Sequence, residues 1–295
     1  DGTLLLTGTN TYSGGTTIQG GVLQLGNGGI TGSVLGDITH TAALAFNRSD
    51  SFAFSNVISG AGRVEQRGSG TLILSGINTY TGGTSIAGGI LQVSADNNLG
   101  AGLGGLTFSG GTLATTAGFD SARAIGLTGN GTFDIAAGTE FGLTGVITGT
   151  GDLIKSGAGT LRLENGGNAY GNTLVQSGIL TGDAGSLSGH IGNAATMIFD
   201  QNVAGTFAGN IAGLDGVEGR MEKRGAGTLT LAGTSVLDWT IAGGELITAA
   251  DRFGGNAEIA SGTSLHFDGS HAGHYAGVLS GSGRFALDGT GTVLL

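Results

Sequence analysis

The segment HFDGSHAGH brings His266, Asp268, His271 and His274 within nine residues. Imidazoles beside a carboxylate are the donor set of a zinc site, provided that they converge on one point. A second group, Asp215, Glu218, Arg220, Glu222, Lys223 and Arg224, is the densest collection of charge in the chain. Paired carboxylates serve general acid–base chemistry and glycoside hydrolysis when they share one face. Serines between glycines at Gly185–Gly189 suggest a nucleophile, but the G-x-S-x-G elbow needs a strand before it and a helix after it, and no helical pattern follows. Tyr12, Tyr80 and Tyr170 recur at similar offsets, as sugar-stacking rings or covers for a chain corner would. GSGTLILSG lacks the lysine of a phosphate loop. The glycine pairs lack the aspartate offset of calcium-binding nonapeptides.

Whether any of these groups meet depends on the elements that carry them. The 295 residues include 65 Gly, no Pro and no Cys. Collagen needs a three-residue period and proline, and disorder needs more charge and less apolar content than 11% charged and 39% hydrophobic. Glycine therefore serves turns, and the Leu, Ile, Val and Thr between them favour strands. Net charge is −10, and Lys155 and Lys223 are the only lysines. Partners that need clustered basic residues, nucleic acid and anionic membrane alike, are not expected. Without cysteine there is neither a disulfide framework nor a thiolate metal site. No apolar run is long enough to span a bilayer as a helix, and DGTLLL does not read as a signal peptide.

The chain repeats itself. GTLLLTGTNTYSGGTTIQGGVLQ starts at Gly2 and GTLILSGINTYTGGTSIAGGILQ at Gly70. The opening element returns at Gly159 and Gly227, and as GTVLL at Gly291, in steps of 68, 89, 68 and 64 residues. The 89-residue step carries one extra rung around FSGGTLATTAGFDSARAIGLTGNG. Aligned copies place Leu4/Leu6, Leu72/Leu74, Leu161/Leu163, Leu229/Leu231 and Val293/Leu295 on either side of a free position. That is the two-residue alternation of a strand with one buried face. Ile18, Ile86, Val175 and Ile241 share another column, as do Leu23, Leu91, Leu180 and Leu246. So do Phe46, Ile135, Phe199 and Phe267, and Phe54, Leu143, Phe207 and Tyr275.

A period of 68 with about three sets of short strands, near 23 residues each, predicts an all-β, right-handed parallel β-helix (solenoid) of roughly 13 rungs. It forms a single domain over residues 1–295, with equivalent side chains stacked directly over one another. Glycine pairs supply the corners, and Asn10, Asn78 and Asn168 suit left-handed corners and amide ladders. The chain opens and closes on GTL-type strands, so a fragment of a longer solenoid is expected. A propeller or sandwich would need Asn-Gly or Asp-Gly hairpins in register; Asn27-Gly28, Asn130-Gly131 and Asp215-Gly216 fall out of register.

The columns also bear on the candidate chemistry. His266 shares a variable slot with Ala45, Asp134 and Ile198, and His274 with Ala53, Gly142 and Thr206, while His271 falls in a turn. Both columns should face outward, which argues against a metal site. The acids are scattered, and the mixed signs of residues 215–224 read as solvated ion pairs at a turn. No catalytic, cofactor-binding or metal residue is assigned, and no cofactor is expected.

The pattern GTLxLxGxNxYxGGTxIxxGxLQ resembles the passenger-associated transport repeat of autotransporter passenger domains. The match is best at Gly2–Leu25 and Gly70–Val93, and SADNNLGAGLGGLTFSGGTL from Ser94 is a typical continuation. The copy at Gly159 is looser, and that at Gly227 has TSVLDW where Asn-Thr-Tyr stood. The resemblance implies a non-enzymatic β-helical stalk of a Gram-negative bacterium, exported across the outer membrane to the cell surface. It implies a role in adhesion, self-association or virulence and in the protein's own secretion. The implied partners are its own C-terminal outer-membrane β-barrel, a host-cell surface or copies of itself. A β-helical carbohydrate-active enzyme would instead need several acids in one cleft. A toxin-like passenger of the vacuolating cytotoxin type would need an apolar N-terminal segment.

Overall fold

The computed structural model describes residues 2–269 and 272–294. Its elements are short strands, with single 3-10 turns at Asp96–Leu99 and Ala250–Arg252. The chain divides into two compact units, Asp1–Leu153 and Ile154–Leu295. Each is a coil of parallel strands.

In the first unit, Leu4, Leu23, Leu44, Val64, Thr84, Leu106, Ile125 and Ile147 are successive register partners, so one turn takes 19 to 22 residues. A second ladder runs through Phe52, Leu72, Leu91, Leu113 and Phe133. The third side is carried by Thr16, Ile38 and Ile58, and further on by Phe119 and Phe141. Alternation decides what each strand buries: in Thr71–Leu74 the two leucines are buried and Thr71 and Ile73 partly exposed. Burying a side chain of this size contributes about 1.5–3 kcal/mol. Aromatic pairs such as Phe108–Phe133 and Phe119–Phe141, with centroids 5.1 and 4.8 Å apart, add to the stacking.

The second unit repeats the scheme. One ladder runs through Leu161, Leu180, Met197, Met221, Trp239, Ala257 and Leu279. Another runs through Gly205, Leu229, Leu246, Leu265 and Phe285. The third joins Thr173, Ile191 and Ile211. Phe199 packs against Phe207 and Trp239, and Phe267 against Tyr275 and Phe285.

The all-β parallel solenoid is therefore as the sequence predicts, but the turn is nearer 20 residues than 23, and this changes what stacks on what. Three partners up the ladder from Leu4 is Val64, and Leu72 lies eight residues beyond it. Three partners up from Leu161 is Met221, and Leu229 again lies eight residues beyond. Sixty-eight residues are three turns plus one strand and its corner. Equivalent leucines of successive copies within a unit thus lie on different ladders and are not stacked directly over one another; Leu72, Leu161 and Leu229 are buried, whereas Leu4, expected to face inward, is 61% exposed. Sequence alignment finds inward positions, and an inward position has the same apolar demand on every side of the coil.

What does stack is the two ends of one copy. Leu4 pairs with Leu23, Leu72 with Leu91, Leu161 with Leu180 and Leu229 with Leu246. Each copy is one closed turn whose last strand lies on its first. Gly89 shows why glycine closes it: φ is +53°, and a Cβ there would sit 2.3 Å from the carbonyl oxygen of Gly70, the first glycine of its own copy. Gly21, Gly178 and Gly244 meet the carbonyls of Gly2, Gly159 and Gly227 in the same way.

Candidate functional site

The tyrosines of the repeat cover corners. Tyr80 and Tyr170 are buried, whereas Tyr12 is exposed. Their hydroxyls lie 2.7, 3.0 and 2.9 Å from the Oγ1 atoms of Thr84, Thr173 and Thr16. Burial pushes the Tyr80 and Tyr170 phenols up to about 12. In the fourth copy Leu237 takes the place of tyrosine, and Trp239 donates its indole N–H to Ser235 Oγ at 2.8 Å. The repeat asparagines bind backbone. Asn78 accepts the N–H of Ile58 and donates to the carbonyl of Asn98; Asn10 and Asn168 donate to the carbonyls of Ser33 and Ser186. Turn-to-turn ladders form elsewhere. Asn172 Oδ1 accepts the N–H of His190, His190 Nδ1 that of Asn210, and Asn210 Oδ1 that of Thr234.

The charged segment at 215–224 is divided by the fold. Asp215 (φ 53°) and Gly216 (φ 79°) form a two-residue hairpin turn, closed by paired backbone bonds of 2.9 Å between Leu214 and Val217. Strand Arg220–Arg224 then points Arg220, Glu222 and Arg224 outward and Met221 and Lys223 inward. Glu222 pairs with Arg224 at 2.5 Å. The reading of these residues as a solvated turn thus holds for Asp215 and fails for Lys223, because strand alternation sends it inside. Beside the strand lies an open polar groove of about 370 Å³ lined by Glu218, Arg220, Asp238, Thr240, Asn256 and Glu258. Asp238 Oδ1 accepts the N–H of Asn256, and Asn256 Oδ1 that of Val278, at 2.7 and 2.8 Å. These side chains tie one corner to the next.

His266 lies in the outward column Thr230–Ile247–His266–Ala286. Its Nε2 is 3.0 Å from Asp288 and its Nδ1 3.8 Å from Glu245. Asp268 and Asp288 are register partners, His274 is exposed, and His271 lies outside the described residues. Among the described residues no group of three or more His, Asp and Glu is placed to hold a metal ion.

Buried cations are what sequence reasoning missed. Arg123 is fully buried and donates to the Asp96 carboxylate, 2.9 Å from Nε, and to the carbonyls of Gly100, Ala101 and Gly104 at 2.7–2.8 Å. It thereby fixes the loop that carries the wholly exposed Leu103. Lys155 and Lys223 are also fully buried, each bonded to three backbone carbonyls. The available signal was positional: the chain's only two lysines stand 68 residues apart, at one place in the repeat. His40 is buried with its Nδ1 3.1 Å from the Ala42 carbonyl, while its Nε2 has no partner. Burial lowers its pKa, and the Ala42 carbonyl opposes this only in part.

Comparison with known proteins matches residues 1–25, 64–93, 153–181 and 221–247 to the passenger-associated-transport-repeat model. Over 227 residues the chain is 38% identical to the adhesin BmaC autotransporter of Brucella suis biovar 1 (strain 1330). That alignment covers 70% of this chain and 7% of the relative, so the chain spans a small part of the length of the protein it resembles. No solved structure matches the chain.

Proposed function

The chain belongs to the autotransporter passengers built on passenger-associated transport repeats and is exported to the cell surface, and on this premise we propose that it works there as a non-enzymatic adhesive scaffold. The 38% identity to an adhesin passenger carries the reading. The geometry is in keeping with it. The residues that define the repeat face inward or hold corners, so their chemistry is used within the fold. Outward columns such as Ser51, Thr71, Ile90, Thr112 and Thr132 are small or aliphatic and lie along one side of the first unit. They suit broad contact with a host-cell surface or a second copy. An outer-membrane β-barrel in the full protein would carry the segment out, and turn-by-turn closure outside the cell would assist export.

The test is to display the full autotransporter, with and without this segment, on a non-adherent bacterium. Surface amounts are matched through an epitope tag, and attachment to epithelial cells and clumping of the bacteria are counted. The proposal expects both or either to fall without the segment. Unchanged attachment and clumping at equal display sink it, and release of reducing ends from polysaccharides by the purified segment sinks its non-enzymatic part.

A further inference from the structure

Lys155 and Lys223 stand four residues before the first glycine of a repeat copy, in KSGAGTL and KRGAGTL. The Lys155 ammonium donates to the carbonyl oxygens of Ser156, Gly157 and Ser177 at 2.6, 2.8 and 3.1 Å. The Lys223 ammonium donates to those of Arg224, Gly225 and Gly243 at 2.7, 2.8 and 2.9 Å. The pattern is the same in both: the next residue, the next but one, and a corner residue of the following turn. An ammonium has three donors, and here all three meet carbonyl oxygens. A charge is not buried without such compensation. Burial still pulls the Lys223 ammonium below the ordinary lysine value, against the opposing field of Asp200. In the second copy Gln66 occupies the same place, and its amide donates at 3.1 Å to the carbonyls of Gly68 and Gly70. That neutral side chain serves its own corner only.

Three carbonyl oxygens around one buried point supply three of the oxygen contacts that a monovalent cation gives up on leaving water. We propose that these two corners are monovalent-cation sites, filled in the native chain by a tethered ammonium that ties one turn to the next, and open to a free ammonium ion when the lysine is removed. The sites are independent of the adhesive reading.

The test is thermal unfolding of Lys155→Ala and Lys223→Ala against the unaltered protein, in ammonium chloride and in tetramethylammonium chloride at equal ionic strength. Losing a charged donor from three buried carbonyls should lower the midpoint in tetramethylammonium chloride by roughly 5 °C. Ammonium should recover most of that shift in a concentration-dependent way, while the unaltered protein responds equally to both salts. Lys223→Gln, which copies the side chain found at Gln66, should lose the ammonium response. An alanine variant that responds equally to both salts, or that matches the unaltered protein, overturns the proposal. If an alanine variant does not fold in tetramethylammonium chloride, folding recovered in ammonium chloride supports the site and failure in both salts overturns it. Independently, an amine-acylating reagent should modify Lys155 and Lys223 of the native protein only at the rate of unfolding. Fast modification overturns the closed cage whatever the variants do.

Discussion

His40 is the residue at which the fold meets pH. Its pKa is lowered in the folded chain, so between the folded value and the ordinary value of about 6.5 the unfolded chain binds the extra proton. Stability contributed by the neutral ring is present above about pH 6.5 and is lost as pH falls, at no more than about 1.4 kcal/mol per pH unit. His40→Phe, which introduces the side chain of the buried Phe108 that stands 68 residues further on, should flatten this slope in urea melts between pH 5 and 7.5. An unchanged slope would place the acid sensitivity elsewhere. The buried tyrosines make the matching prediction at the alkaline end. Tyr80, Tyr170 and Tyr275 are pushed up to about 12 by burial, so spectrophotometric titration should leave these three phenols protonated at pH 11. If Tyr80 and Tyr170 ionise near 10, their corner-covering role fails.

At the scale of the element, the unit of construction is one turn that closes on itself. Its first and last strands pair, tyrosine or an apolar residue fills the corner, and glycine lies over the carbonyl of the first glycine. Adjacent glycines in one corner should therefore differ sharply. At Gly88 a Cβ meets nothing nearer than 3.4 Å and φ is ordinary, whereas at Gly89 φ is +53° and the Gly70 carbonyl is 2.3 Å away. Gly88→Ala should change stability by less than about 0.5 kcal/mol and Gly89→Ala should cost about 2 kcal/mol or more, since strain and clash combine. Denaturant midpoints of the two variants decide it, and similar values would refute the stacked-corner explanation. The charged strand Arg220–Arg224 belongs to the same scale. Its sequence reads as a polar turn until alternation assigns Lys223 to the interior.

For the whole chain, eight residues beyond three turns means that consecutive copies within a unit present the motif from different sides. The motif cannot line up as a binding stripe along one face of a unit, and its repetition serves construction. Each turn meets its neighbours, so turns are removable as complete modules. Leu246 and Leu265 are register partners 19 residues apart. Excising residues 246–264 should leave a β-rich circular dichroism spectrum and cooperative melting. Excising 246–254, about half a turn, should abolish cooperative melting because inward and outward residues no longer match the ladder. Equal tolerance of both deletions would contradict the ladder register.

Composition, the 68-residue repeat and two-residue alternation by themselves determined strand content, a parallel coil and which leucines and phenylalanines point inward. These are local or nearest-neighbour properties, and the residues at Leu72, Leu161 and Leu229 declare them through apolarity alone. The passenger repeat was legible for the same reason: a closed turn needs its glycines, threonines and corner tyrosine at set distances along the chain. Only the tertiary structure decided turn length, the side on which each copy faces, the ladder of Asn172, His190 and Asn210, and the burial of Arg123, Lys155 and Lys223. Each of these depends on which carbonyls and strands lie one turn away, and that distance in space is not written in the order of residues along a strand.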